Sequence, residues 1–305
     1  MERRYPWFLD AVARELEVHL CMTTSNDENN PHRWDVDEAA AADFRQRLEA
    51  ARQEVFDHPA TRLVAQMTTL RRSIEAVVIA NFHELAGLLR APSSDQDLAI
   101  KLVQNVRQSV VAEQYSDRLV QRLHNYLAGT YTLVEHVRAL MADQPEPLVT
   151  EWSEERRKRF ATGAVAFVGD LRRYIQHYAH LPLSHHLRMS GPAATSQFSE
   201  FTIELDVNEL RRWTDWLAPA RQFLEEEETV PLLPLVEKHV RTVVAANRWL
   251  LGRLAAQIPP LAEEYNDLVV KANAVLTGLD LDAARLLTEQ RTSERYSPDS
   301  PPGFS

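Results

Sequence analysis

Leu119, Leu123, Tyr126, Thr130, Leu133, Val137 and Leu140 recur at alternating spacings of four and three residues. Only an α-helix gathers side chains at that interval onto one face, because a strand repeats every second residue. An apolar stripe sustained over about six turns must be covered by other elements. Glycine usage narrows the choice of cover. The chain has 8 glycines in 305 residues, whereas open α/β folds and β-sandwiches spend glycine freely on turns. An all-α fold, a mostly antiparallel helical bundle, is the expectation.

Other segments follow the same pattern. Residues 1 to about 24 form an amphipathic helix, and "TTSNDENNPHRWDVD" is a loop that completes a 1–36 segment. A bundle over 37–182 then holds "DEAAAADFRQRLEAARQEVF", the helix through "ATRLVAQMTTLRRSIEAVVIANFHELAGLLRA", the striped helix, and "VTEWSEERRKRFATGAVAFVGDLRRYIQHYAH". Pro92 ends the second of these beside capping candidates Ser93 and Ser94, and Pro182 closes the last. Phe167, Leu171, Tyr174 and Tyr178 form the buried stripe of that last helix. Around 183–205 the period changes. Phe201, Ile203 and Leu205 alternate with polar neighbours, which predicts a small antiparallel β-hairpin. Asp206 caps a helix over "VNELRRWTDWLAPARQFLEEEE". Further helices to residue 292 pack on the bundle, and 293–305 is a disordered tail.

The charge balance excludes several functions. A formal net charge of −10 argues against gripping long duplex nucleic acid through its phosphates, so any RNA contact needs a local basic cleft. Cys21 is the only cysteine, so neither an internal disulfide nor a thiolate metal cage is expected. No uncharged apolar run reaches the ~20 residues of a membrane span, and the first residues resemble no targeting segment. A cytoplasmic location without membrane partners follows as the expectation.

The segment "DLRRYIQHYAHLPLSHH", residues 170–186, concentrates candidate chemistry: Arg172, Arg173, His177, His180, His185 and His186. At about 100° per residue, Asp170, Arg173, His177 and His180 form a polar ridge on the open side of the helix, and Arg172 lies about 140° from His177. Three readings stand. The ridge is a solvated face with a minor Asp170–Arg173 pair. Alternatively the histidines hold a metal, although i, i+3 spacing and an intervening proline depart from a helical zinc pair. Adjacent strand residues point to opposite faces, so only one of His185 and His186 can join such a cluster. No metal or cofactor is assigned.

The third reading rests on resemblance. "LRRYIQHYAHLPL", preceded by "RLHNYLAGTYTLVEHVR", resembles the R-x4-6-H signature of HEPN domains, helical bundles of prokaryotic defence and toxin systems. Arg172 and His177 match the shortest form, and Arg173 stands where the family prefers Asn. The resemblance covers residues 60–190 and implies a metal-independent endoribonuclease at a homodimer cleft. It implies a proton-transferring His177, a phosphate-holding Arg172, and an RNA 2′-OH as internal nucleophile. Arg173, Tyr174 and His180 support that site. A role in toxin–antitoxin or phage defence, with an antitoxin or regulatory partner, belongs to the same expectation. The alternative is a non-catalytic HEPN-like module that binds a partner protein or a nucleotide. Asn125 is expected to be a buried amide and His136 a surface or packing residue. Trp213, Trp216 and Trp249 are expected in the core.

Overall fold

A computed structural model describes residues 38–103, 110–161, 163–178, 180–190 and 197–295. The expected N-terminal helix with Cys21, its loop, the hairpin turn "GPAAT" and the tail beyond 295 lie outside the described residues. The fold is all-α with one small antiparallel sheet. The chain divides into two compact units, one of residues 1–69 with 253–305 and one of 70–252. That division cuts across the expected 37–182 bundle, because the helix from residue 38 packs with a helix near the C-terminal end.

In the first unit, α1 (Glu38–Asp57) turns sharply into α2 (Pro59–Arg72). His58 makes the turn: its Nδ1 accepts the Ala60 N–H at 3.2 Å, while the Thr61 hydroxyl donates to the Val55 carbonyl at 2.7 Å. The buried His58 ring lies 5.6 Å from that of Tyr265.

In the second unit, a π-helical segment, Ser73–Ile79, leads into α3 (Ala80–Ser94). Asn81 donates to the Val77 carbonyl at 2.7 Å and so satisfies an acceptor in the widened turn. Pro92 is buried inside α3 and does not end it. The stop is Asp95, which is extended, and whose carboxylate accepts the Leu98 N–H at 3.0 Å to open α4 (Gln96–Val103). Ser94 instead donates back to the Ala91 carbonyl.

The long stripe is confirmed. It lies on α5 (Val110–Ala142), where six of its seven positions are buried and Thr130 is half-buried. Gly129 lies beside the π segment, and a Cβ there would stand 3.0 Å from the Val77 side chain. The single helix expected over 149–180 is two, α6 (Glu146–Phe160) and α7 (Gly163–His177). Gly163 opens α7 at a close approach, where a Cβ would meet the Phe223 Cβ at 3.0 Å and the Pro219 carbonyl at 3.3 Å.

The hairpin forms within the expected bounds, β1 (Leu183–Ser190) pairing antiparallel with β2 (Gln197–Leu205). Phe201, Ile203 and Leu205 are all buried. A short third strand, β3 (Val230–Pro231), pairs with β2 and had no signal in the sequence. Asp206 caps a helix as expected, accepting N–H groups of Asn208 and Glu209, but that helix is one turn, α8 (Val207–Leu210). The chain is irregular through Trp213 and Trp216 and resumes as α9 (Ala218–Glu226). The long helix α10 (Leu232–Ala255) follows. Back in the first unit, α11 (Ala262–Thr277) ends on Gly278 at φ +69°, and α12 (Leu281–Arg295) completes the described chain.

Candidate functional site

The helix that carries the two arginines, α7, is amphipathic in a way the wheel captured only in part. Phe167, Leu171 and Tyr174 are buried, but Tyr178, past the helix end, is 50% exposed. The polar ridge is corrected at its first member. Asp170 is only 2% exposed and faces inward. One oxygen accepts from Arg173 at 2.7 Å and the other from the Leu217 backbone N–H at 2.7 Å. A buried carboxylate needs that double satisfaction. The pair therefore ties α7 to the segment before α9 and is not a minor surface contact.

Arg173 also lies over the Trp213 ring at 5.5 Å. Tyr174 stacks on Trp216 with ring centroids 5.4 Å apart and 8° between planes, and meets Trp213 edge-on. Burial raises its pKa, with the neighbouring Tyr178 and Glu209 acting in the same direction. Arg173 and Tyr174 are thus engaged in an aromatic cluster. His177 and His180 are exposed.

The two arginines part company. Arg172 sits with its guanidinium carbon 3.6 Å from the Tyr131 ring centre, and no protein group hydrogen-bonds its buried Nε. It lines a groove of about 830 Å³ bounded by α5, α6, α7 and α10. His177 is not among the lining residues.

The groove is built by helical periodicity. Val149, Trp152, Arg156 and Phe160 of α6 stand on one face at spacings of three and four. His239, Val243 and Asn247 of α10 do the same at spacings of four. Leu127, Val134 and Met141 of α5 with Val165 and Val168 of α7 complete mostly aliphatic walls. Four arginines, 138, 156, 157 and 172, line it, and no carboxylate does among the described residues. Arg156 and Arg157 are exposed, whereas Arg138 pairs with Glu135 at 2.8 Å.

Two polar side chains sit deep in this wall. Asn247 is 4% exposed; its Nδ2 donates to the Val243 carbonyl at 2.8 Å, and no protein donor reaches its buried Oδ1. The amide orientation follows from that back-bond, since the reverse would set two oxygens together. His239 is 5% exposed, and its Nδ1 lies 2.6 Å from the Tyr126 hydroxyl. Burial pushes its pKa down to about 4 and raises that of Tyr126, so both groups are neutral at pH 7. With the phenol donating, the imidazole proton resides on Nε2. Neither residue stood out in the sequence. An Asn and a His eight apart on an apolar helix are a recognisable buried polar pair only once the opposing helices are in place.

The remaining histidines behave individually. His136, on the surface, lies with Nδ1 2.7 Å from the Ser73 hydroxyl. Asn125 is half-buried where a buried amide was expected. His185 lies between the Tyr115 and Phe201 rings with Nε2 buried, and its pKa is lowered by burial and by His186. His186 is exposed and faces Glu204 at 3.5 Å. Opposite faces for this pair are what the strand period demands. Among the described residues no group of three or more His, Cys, Asp or Glu is placed to hold a metal ion. No described helix is long and apolar enough to cross a membrane.

No family model, curated protein or solved structure matches the chain.

Proposed function

We propose that this chain is a non-catalytic helical module that binds an anionic ligand in the groove beside α7. One observation carries the reading: four arginines and, among the described residues, no carboxylate line a groove of about 830 Å³ in a chain of net charge −10. Arginine forks match carboxylate and phosphate oxygens, and the volume falls in the range of roughly 300–1,000 Å³ usual for small-molecule sites. Calorimetric titration with a panel of carboxylates and mononucleotides tests it. Wild type binds at least one member, and Arg156→Glu with Arg157→Glu weakens that binding at least tenfold. Retained affinity in the double variant counts against the groove.

The HEPN-type ribonuclease is the second reading. It is favoured by Arg172, whose Nε has no protein partner at the edge of an open groove, and by an exposed His177 at the end of the same helix. In that reading Arg172 holds the phosphate, His177 moves the proton from the 2′-OH, and a homodimer brings one chain's arginine to the other's histidine. Arg173, Tyr174 and His180 support the site, and an antitoxin-like protein would silence it. Incubation with structured and single-stranded RNA in excess chelator separates the two readings. Cleavage abolished by both Arg172→Ala and His177→Ala establishes the nuclease. RNA left intact by wild type leaves the binding module.

A further inference from the structure

We infer that the groove's ligand is an aromatic acid: a flat hydrocarbon ring that lies on Phe160, with its anionic group on the arginines one turn back along α6. This rests on the binding-module reading above and narrows it to a ligand class.

Phe160 decides the body of the ligand. Tyr131, Trp152 and Phe160 all line the groove, and the first two are engaged. The Tyr131 face carries the Arg172 guanidinium at 3.6 Å. Trp152 is stacked on Trp249, with centroids 6.1 Å apart. Phe160 is half-buried, and among the described residues no ring or guanidinium lies over it. A ligand ring on that free face is favoured about fivefold over a saturated ring of the same size.

The α7 wall leaves space for a flat group. Ala166 and Gly169 stand one turn apart in it, and a Cβ at Gly169 would meet nothing within 4 Å. A glycine inside a helix costs stability relative to alanine, and no neighbour in the fold requires one here.

The charges decide the head. Arg156 and Arg157 precede Phe160 by four and three residues, so both are its neighbours on the helix surface, with Cβ atoms about 5–6 Å away. Both are exposed, and Glu155 beside them in sequence is held by Arg159. An anion two or three bonds from the ring therefore reaches a guanidinium while the ring stays on Phe160. The head remains partly hydrated at the rim.

The inner walls decide against a nucleobase. Their polar groups are turned to the protein. The Thr130 hydroxyl donates to the Leu127 carbonyl at 2.8 Å, His239 is bonded through Nδ1 to Tyr126, and the Asn247 oxygen is sealed in the wall. A base pressed against Val165, Val168 and Val243 would leave several donors and acceptors unpaired, each at a desolvation cost. A hydrocarbon ring has none to lose.

The test is calorimetry on the full chain with 2-naphthylacetate, its decahydronaphthyl analogue, the neutral 2-naphthaleneethanol and adenosine monophosphate. The expected result is that naphthylacetate binds, the saturated acid is about fivefold weaker, and the alcohol is at least tenfold weaker. Phe160→Leu levels the aromatic and saturated acids. Arg156→Glu with Arg157→Glu weakens both acids at least tenfold, and Gly169→Leu, which extends a side chain into the open space, weakens both as well. Circular dichroism melting confirms that each variant is folded. Equal binding of the aromatic and saturated acids, or a preference that survives Phe160→Leu, overturns the inference. So does an alcohol that matches the acid. Binding of adenosine monophosphate but of no aromatic acid, sensitive to the Arg156 and Arg157 reversal, overturns it and leaves the binding module standing. Binding of no carboxylate or mononucleotide removes both. A concentration-dependent dimer dispersed by Val134→Glu, with no small-molecule binding, assigns the groove to a second copy of the chain and likewise overturns it.

Discussion

Arg172 and His239 show how much a single side chain's surroundings matter. Arg172 faces a tyrosine ring in the groove, and its neighbour Arg173 is locked to a buried carboxylate, although the two are adjacent in sequence. The wheel separated them by about 100° but could not show which side faced a neighbour, because the apolar partners come from distant segments. Arg172 lines the groove, His177 is exposed outside its lining, and a buried Asn and His on α10 carry the groove's polar interior. His239 also gives a pH prediction. Its pKa, near 6.5 when unfolded, is about 4 in the fold. Between those values the unfolded chain binds the extra proton, so stability is full above pH 6.5 and declines as pH falls toward 4. His185, also lowered, acts in the same direction. Denaturant melts at pH 7 and 4.5 should therefore show a smaller acid loss in His239→Gln, which keeps an acceptor for Tyr126, by on the order of 3 kcal/mol at most. Equal losses in the two proteins would place that histidine in contact with water.

Elements were legible wherever one periodicity ran unbroken. The α5 stripe and the alternating Phe201, Ile203 and Leu205 each held, because a local pattern and a buried face coincide there. Breaks were not legible. The α6–α7 join lies where α9 comes close to Gly163, and α8 stops after one turn where Trp213 and Trp216 meet Tyr174 and Phe167. Tertiary packing overrode propensity in both cases. The glutamate run at the end of α9 is explained by a residue far from it in sequence. Arg211 donates from Nε and Nη2 to the Leu224 carbonyl at 2.9 and 2.6 Å, and to the Glu227 carbonyl at 3.0 Å. A cation on orphan carbonyls offsets carboxylates that oppose the helix dipole. Arg211→Ala is expected to cost about 2 kcal/mol by urea denaturation, more than the loss of one exposed ion pair. A change under 0.5 kcal/mol would show that water caps those carbonyls equally well.

For the whole molecule, fold class could be derived from glycine scarcity and helical stripes, but the division of the chain could not. Residues 38–57 pack with 262–277 across more than two hundred positions of sequence, and nothing local records such a pairing. Net charge is an average: the −10 total argues against gripping long duplex nucleic acid, and it does not show that one groove collects four arginines. A local field of one sign governs a site more than the sum over the surface. The claim that this groove is where the protein meets its ligand is tested most directly by hydrogen–deuterium exchange with and without a saturating panel of carboxylates and mononucleotides, each added in turn. Binding there should slow exchange in residues 127–141, 149–160 and 165–172 and leave the 183–205 hairpin unchanged. Protection centred on His177 and the hairpin, or none anywhere, would contradict it.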